Sequence, residues 1–174
     1  LAIGFNALLG LSSTLGPAVC DSPRFHSNLR TFGACLVELA PEKSLAFLLD
    51  PGRIIEFRSG FERGVAEHIE HCVRDILFGD TLRGVSRLKG CGFGLTPSGD
   101  DFITGLLIAS HLMEPGRRGA AGEYSGYAAA GSNDIAAHRA SAAALRARIF
   151  ESARTSNTLS DTFLRLAAYG RVTR

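Results

Sequence analysis

The stretch best suited to chemistry is the glycine-rich segment 90–101, which has the sequence GCGFGLTPSGDD. Its first three glycines alternate with other residues, so the backbone can turn tightly and a ligand can approach it without meeting a Cβ atom. Two hydroxyl side chains, Thr96 and Ser98, follow the glycines, and two adjacent carboxylates, Asp100 and Asp101, end the segment. This concentration of small and polar groups predicts a ligand-binding loop.

A helix is predicted to begin within this loop. Thr96 can be the N-cap residue with Pro97 in the first helical position, or Ser98 and Asp101 can form a capping box. In both alternatives the helix start offers backbone N–H groups and about half a positive charge, which favour a phosphate or a carboxylate. We therefore expect the loop to bind an anion. The loop residues expected to contact it are Gly92, Gly94, Thr96, Ser98 and Gly99.

Asp100 and Asp101 complicate this interpretation, because two carboxylates beside an anion cost free energy unless a cation or a proton lies between them. A magnesium ion that bridges them to a phosphate would remove the conflict. Both residues are therefore candidate catalytic and magnesium-binding groups. The structural alternative is capping, since an acidic residue in the first turn stabilises a helix by up to about 1 kcal/mol. Capping explains one carboxylate but not the alternating glycines, so a ligand site is the preferred interpretation.

The loop does not indicate an organic cofactor. It lacks the GxxxxGK[ST] pattern of a nucleotide-binding P-loop. It is not a dinucleotide fingerprint either, because the third glycine comes one residue early and no βαβ unit surrounds it.

A second candidate segment, Arg154-Thr155-Ser156, precedes a predicted helix. An arginine beside two hydroxyls suits a carboxylate or a phosphate, and the segment could fold back onto the Asp100 loop. The alternative is a surface loop whose arginine pairs with a nearby acid. All three residues are candidate substrate-binding groups.

Other reactive side chains are weaker candidates. Cys91 lies inside the loop, but no histidine is near in sequence to activate it as a nucleophile. His68 and His71 could present metal ligands on one helix face, although a solvated polar face is the commoner explanation. His111 and His138 are expected to be packed or surface residues. The four cysteines form no CxxC pair, which argues against a zinc or redox motif and predicts reduced thiols.

The residues before the loop are predicted to form strands. Apolar runs at 32–39, 44–49 and 53–57 are separated by turn residues, a pattern typical of a β meander. This predicts a β-rich part, residues 1–58, followed by a helical part, residues 59–174, or one continuous domain. Strands that precede helices in this way indicate an α+β fold.

The helical part is predicted from periodicity. Between residues 61 and 78 the apolar side chains recur three and four positions apart, which indicates an amphipathic helix. Residues 102–113 are apolar nearly all round, so this helix is expected to be buried. Gly105 and Ala109, four positions apart, should let a neighbouring element pack closely on it.

The last elements are predicted from capping signals. Asn133 or Asp134 can cap a helix rich in alanine and arginine. Ser160 is predicted to cap a final helix, which Gly170 ends. The glycine- and alanine-rich segment 116–131 fits either a flexible connection or a loosely specified helix.

Composition narrows the class of protein. With 174 residues, of which 45% are hydrophobic, the chain can bury a core as one domain or two small lobes. The net charge is +2 and the basic residues are spread along the chain, so nucleic acid is not an expected partner. Residues 1–19 are apolar but lack a basic leading region, which favours a core strand and turn over a signal peptide. No run could cross a membrane, and we expect a cytoplasmic protein.

Residues 94–102, GLTPSGDDF, followed by Gly105-Leu106-Leu107, resemble the signature of a bacterial family. That family includes the third subunit of the oxamate carbamoyltransferase of anaerobic allantoin degradation. The resemblance is weaker upstream and extends downstream through Arg154 to Ser160. It implies a subunit of a hetero-oligomeric enzyme of purine catabolism that acts on carbamoyl phosphate and oxamate, or on oxalurate and phosphate. Phe93 departs from the pattern, since members of the family usually have proline there.

Three functions are compatible with these observations. In a carbamoyltransferase subunit the loop would hold an anionic substrate, Asp100 or Asp101 would recruit magnesium or orient the amide, and Arg154 would bind the oxamate carboxylate. A non-catalytic assembly subunit would instead show an exposed apolar patch and a loop that binds no ligand. A magnesium-dependent phosphohydrolase would need a general base, which the sequence does not identify.

Overall fold

A computed structural model describes residues 23–93, 95–113 and 132–171, with the backbone alone for residues 132–135. Six α-helices and two short 3-10 helices make up the regular structure of these residues. In chain order they are α1 (Pro23–Leu39), the 3-10 helices Leu45–Leu48 and Pro51–Glu56, α2 (Gly60–Phe78), α3 (Thr81–Leu88), α4 (Ser98–Leu112), α5 (Ser132–Ala153) and α6 (Thr158–Ala168). None of the described helices is long and apolar enough to cross a membrane.

The predicted β-rich N-terminal part is wrong, and the α+β assignment is wrong with it. The described residues are mainly helical and form no sheet. The run 32–39 is the second half of α1, and the runs 44–49 and 53–57 fall on the two 3-10 helices. The apolar side chains of α1 recur at alternating steps of four and three, a helical period that begins at Phe25. The strand prediction considered only the residues from 31 onward, so it left out the first turns of this helical pattern.

The turn signals in this region are real, but they start short helices instead of separating strands. Asp50 caps the second 3-10 helix, because its Oδ1 accepts the N–H of Gly52 at 3.0 Å, and Pro51 occupies the first helical position. Ser44 caps the first one through the N–H of Ala46 at 3.4 Å. Both side chains therefore act as N-caps, since they accept backbone N–H groups of the helical turns that follow them.

One arginine fastens α1 to the second 3-10 helix. The guanidinium of Arg53 donates to the carbonyl oxygens of Val37 at 2.8 Å and Ala40 at 2.9 Å. The last carbonyls of a helix have no partner within the helix, so Arg53 stabilises the end of α1. The carboxylate of Glu56 accepts from the Nε of Arg53 at 2.6 Å and holds the guanidinium in place.

The core lies between α2 and the helices that follow it. The predicted helix 61–78 is confirmed as α2, which a capping box of Ser59 and Glu62 begins. Helix α3 packs directly on α2, because a Cβ atom at Gly84 would lie 2.7 Å from the Cys72 carbonyl oxygen. The side chains that are fully enclosed include Cys72, Val85, Leu88, Ile103, Leu107 and Leu164.

The predicted helix at 102–113 is confirmed within α4, but its packing was predicted wrongly. Gly105 and Ala109 are exposed, and no atom of the described residues lies within 4 Å of a Cβ placed on Gly105. The enclosed side of α4 carries Ile103, Leu107 and His111 instead. A helix that is apolar all round gives no sign of which side faces its neighbours, so only the fold could decide this.

Helix α6 starts earlier than predicted. Its N-cap is Asn157, whose Oδ1 accepts the N–H groups of Leu159 at 3.0 Å and Ser160 at 3.1 Å. Ser160 is therefore a buried residue of the first turn and not the cap. Gly170 does end the helix as predicted, with a φ of +67°. Its N–H bonds to the Ala167 carbonyl at 3.0 Å, as in a Schellman motif.

The predicted helix after residue 133 is confirmed as α5. The side chains of Asn133 and Asp134, the two candidate caps, lie outside the described residues, as do segments 1–19 and 116–131.

Helices α4 and α6 run parallel, and this arrangement positions the glycine loop. At their starts, the Nδ2 of Asn157 donates to the Leu95 carbonyl oxygen at 3.1 Å. At their ends, the Nε2 of His111 lies 2.9 Å from the Ala168 carbonyl oxygen. Contacts at both ends place the two N-termini side by side, next to the loop. His111 is thus packed, as predicted.

Candidate functional site

The glycine loop is folded back onto the start of α4 by two hydrogen bonds. The Oδ1 of Asp100 accepts the N–H of Gly90 at 2.7 Å, and the Cys91 carbonyl accepts the N–H of Gly99 at 2.8 Å. Gly90 and Gly92 have φ values of 71° and 114°, a region that favours glycine. These two glycines are therefore required by the fold of the loop itself. Gly94 lies outside the described residues.

Neither predicted capping arrangement of α4 is right. The helix begins at Ser98 with Pro97 as its N-cap residue, and no side chain caps it. The hydroxyl of Thr96 donates to the Oδ2 of Asp101 at 3.2 Å instead. The half-buried Ser98 packs against Gly92, since a Cβ on that glycine would lie 2.7 Å from the Ser98 nitrogen.

The first N–H groups of α4 already have partners within the chain. The Cys91 carbonyl takes the N–H of Gly99, and the Pro97 carbonyl takes those of Asp100 at 2.9 Å and Asp101 at 3.2 Å. An anion at this helix start therefore has few free backbone donors to bind. Its affinity must come from side chains nearby.

Asp100 is enclosed beneath the loop, with 1% of its surface exposed. Its Oδ1 is bonded to Gly90, while its Oδ2 is buried and has no hydrogen-bond partner among the described residues. A carboxylate at this position complements the positive end of α4. The chain thus supplies its own anion at the place where the sequence suggested a substrate anion.

Asp101 is the accessible carboxylate of the pair. Partial burial of its carboxyl group raises its pKa above the usual value, and the nearby Asp100 carboxylate adds to the rise. The hydrogen bond from Thr96 acts in the opposite direction and lowers the pKa of Asp101. Asp101 can meet a ligand at the surface, whereas Asp100 cannot do so in this conformation.

Segment 154–157 lies against the loop. The ammonium group of Lys89 donates to the Arg154 carbonyl oxygen at 3.4 Å, and Asn157 bonds to Leu95. The hydroxyl of Thr155 accepts the N–H of Asn157 at 3.3 Å, so it supports the turn into α6. Ser156 is exposed.

The guanidinium of Arg154 is only loosely held. Its Nε lies 4.0 Å from the Oδ1 of Asp161, and its Nη1 lies 3.9 Å from the Oε2 of Glu151, at the limit of an ion pair. More than half of its side chain, 57%, is exposed. The pair with Glu151 is exposed on both sides and contributes little to stability, and Asp161 keeps Arg165 at 3.2 Å as a second partner, so Arg154 can turn to another anion at small cost.

The weaker candidates behave as ordinary structural residues. Burial raises the pKa of the Cys91 thiol, and the Asp100 carboxylate raises it further, so the thiol stays protonated near neutral pH. His71 Nδ1 lies 2.7 Å from the Glu67 carbonyl and His68 Nε2 lies 3.1 Å from that of Arg87. Within the described ranges no three His, Cys, Asp or Glu side chains are grouped so as to hold a metal ion.

Three residues of this region were missed by the sequence analysis. Asn157 was overlooked as a cap although asparagine is among the strongest N-cap residues. Lys89 precedes the glycines and carries the basic charge nearest to them in sequence. The burial of Ser160 follows from the packing of α6 and has no signal in the local sequence.

The model of the family described as oxamate carbamoyltransferase subunit AllH matches residues 88–174, half of the chain. The chain belongs to this family. The match begins at Leu88, two residues before the glycine loop, and covers α4, α5 and α6 together with the loop and segment 154–156. No curated protein and no solved structure matches the chain. The family confirms the resemblance of residues 94–107, and its description as a subunit indicates a hetero-oligomeric enzyme.

Proposed function

We propose that this chain forms the anion-binding part of an oxamate carbamoyltransferase, at the surface between the glycine loop and segment 154–156. The ligands would be carbamoyl phosphate and oxamate, or oxalurate and phosphate in the catabolic direction. All four are anions. Thr96, Ser98 and Ser156 would supply hydroxyl groups around them, and Gly92 and Gly99 would hold the loop in the fold that presents these groups.

The observation that carries the proposal is the contact between Lys89, which directly precedes the loop, and segment 154–156, whose Arg154 side chain is loosely held. Lys89 reaches the backbone of Arg154, and Arg154 is held by its acidic neighbours only at about 4 Å. A guanidinium binds a carboxylate or a phosphate through paired hydrogen bonds. Arg154 would therefore bind the oxamate carboxylate, and Lys89 would neutralise the phosphate. These contacts accelerate transfer by positioning and by charge neutralisation, with no covalent intermediate on the protein.

Magnesium is part of the proposal through Asp101. Magnesium is usually held by one or two carboxylates together with substrate phosphates and water, so a site with few protein ligands is sufficient. The exposed carboxylate of Asp101 fits this description, whereas the Oδ2 of Asp100 is enclosed and its Oδ1 already binds Gly90. When bound, the ion would neutralise phosphate charge next to Asp101.

The test is calorimetric titration of the full chain with oxamate, and with carbamoyl phosphate in the presence and absence of magnesium. Arg154→Gln should weaken the binding of oxamate roughly 10-fold or more, because it removes charge-assisted hydrogen bonds to the carboxylate. Arg74→Gln is the matched control, since Arg74 is an exposed arginine paired with Glu70 on α2, away from the loop. Asp101→Asn should abolish the effect of magnesium and leave magnesium-free binding intact. Equal affinities for the Arg154 and Arg74 variants would refute the proposed site.

A second candidate function, an assembly subunit without catalysis, is favoured by the apolar surface beside the loop. Leu95 is 82% exposed and Phe61 is 73% exposed, and the ring of Phe61 meets that of Phe93 with centroids 6.4 Å apart. Such exposed groups suit contact with another subunit. In the titration above, absence of heat from the wild-type chain in all conditions would favour this function. A cytoplasmic location remains a prediction for either one.

A further inference from the structure

Two enclosed polar side chains at the paired starts of α4 and α6 each have an atom without a hydrogen-bond partner. Asp100 and Ser160 are both 1% exposed. The Oδ2 of Asp100 and the Oγ of Ser160 find no partner within the described part of the chain. Leaving a buried polar atom unpaired is costly, so atoms of this kind indicate a bound group or an ordered water.

Contacts between the two helices indicate that these side chains lie at a similar level along the helix pair. Near the helix starts, Leu95 contacts Asn157, which is 62 residues later in the chain. At the helix ends, His111 contacts Ala168, which is 57 residues later. Asp100 and Ser160 are separated by 60 residues in the chain, a separation between those of the two contacting pairs. Each begins the buried side of its helix: Asp100 precedes Ile103, Leu107 and His111, and Ser160 precedes Leu164 and Ala167.

The chemistry of these atoms selects the class of group that they can bind. A carboxylate oxygen accepts hydrogen bonds, and a serine hydroxyl can accept one as well. A cation is disfavoured there, because two helix N-termini place positive partial charge at the same point. A neutral group with two N–H donors satisfies both oxygens without adding charge. A third unpartnered atom, the Oδ1 of Asp161, faces Arg154 at 4.0 Å and belongs to that ion pair.

We propose that Asp100 and Ser160 recognise the NH2 group of the carbamoyl or oxamate substrate. This inference rests on the anion-binding function proposed above and adds the feature that distinguishes these substrates from other small anions. The Oδ2 of Asp100 would accept one N–H and the Oγ of Ser160 the other. Both oxygens are enclosed in this conformation, so the NH2 group would bind only after the residues around them move apart.

The inference can be tested with pairs of ligands that differ only in this group. Acetyl phosphate and pyruvate carry a methyl group where carbamoyl phosphate and oxamate carry NH2, and each keeps the remaining acyl and anionic groups of its counterpart. The wild-type chain should bind each NH2 compound at least about 10-fold more tightly than its methyl counterpart, because the methyl group leaves both buried oxygens unpaired. Calorimetric titration measures all four affinities.

Two variants show which residues cause the discrimination. Ser160→Ala should reduce the preference for the NH2 compounds several-fold. Asp100→Asn can still accept the N–H of Gly90, but it presents an NH2 group where Oδ2 was, so it should abolish the preference. Ser86→Ala, at an exposed serine of α3, is the matched control and should keep the wild-type preference. Circular dichroism establishes that each variant is folded.

The outcomes separate this inference from the function on which it rests. Equal binding of NH2 and methyl compounds by the wild type would overturn the inference and leave the anion site standing. A preference that survives in both Ser160→Ala and Asp100→Asn would also overturn it. If no compound binds to the wild type, the proposed function fails and this inference fails with it.

Discussion

Replacing Gly99 with alanine should destabilise the protein strongly, because the glycine loop passes directly over this position. A Cβ atom at Gly99 would overlap the carbonyl oxygen of Leu88 and lie 3.1 Å from that of Cys91. Both neighbours are backbone atoms, so they cannot move aside as a flexible side chain can. The same substitution displaces the N–H of Gly99 from the Cys91 carbonyl, which it now meets at 2.8 Å.

The size of the effect follows from the steric overlap and from the lost hydrogen bond. Forcing extra volume into a packed site costs about 1–3 kcal/mol. Loss of a buried hydrogen bond adds about 1 kcal/mol. We therefore expect Gly99→Ala to lower the free energy of unfolding by roughly 2–4 kcal/mol, which for a chain of this size lowers the melting temperature by about 5–15 °C.

The assay is thermal unfolding followed by circular dichroism, with Gly105→Ala as the control. Gly105 lies on the same helix, where nothing in the described structure lies within 4 Å of an added Cβ atom. Alanine is the better helix former by about 1 kcal/mol, so Gly105→Ala should raise the melting temperature. If Gly99→Ala is as stable as Gly105→Ala, the loop does not lie over α4 as described, and the argument for the site is refuted.

Two further predictions concern stability. Gly170→Ala should lower the free energy of unfolding by roughly 1–2 kcal/mol, because the residue has a φ of +67° and an added Cβ would lie 3.1 Å from the His111 ring. Urea unfolding measures this change, and an unchanged midpoint would contradict the observed end of α6. Hydrogen bonding to Lys43 and to the Ser59 backbone lowers the pKa of Glu62 to about 2 from 4.5. Its ionised form therefore stabilises the fold above pH 4.5, and this contribution is lost as the pH falls toward 2. Glu62→Gln should accordingly lower the melting temperature at pH 7 but not at pH 2; an equal loss at both pH values would contradict this explanation.

Parts of the fold that depend on neighbouring residues were predictable from the sequence. The period of α2 is visible between residues 61 and 78, and Gly170 ends α6 as its type suggests. Both signals act within one or two turns, because amphipathicity and left-handed φ values are local properties. Capping residues were less secure: Asn157 starts α6 where Ser160 was predicted, since several polar residues near a helix start can each serve as the cap.

The wrong prediction of strands in the N-terminal part also has a physical cause. An apolar run such as 32–39 fits a strand or a helix, because a short run does not distinguish the two periods. Contacts from distant residues decide between them. The guanidinium of Arg53 reaches the end of α1 from a position 13 or more residues away, and no local pattern announces that contact.

For the candidate site, the residue types can be read directly from the sequence: a glycine loop, two adjacent carboxylates and an arginine with two hydroxyls. Where these side chains lie, and which of them are accessible, depends on the tertiary structure. It buries Asp100 beneath the loop and leaves Asp101 exposed, although the two are adjacent in the chain. It also brings the backbone of Arg154 next to Lys89, because the starts of α4 and α6 lie together. Burial and pairing of this kind depend on residues some 60 positions apart, which no local pattern in the sequence records.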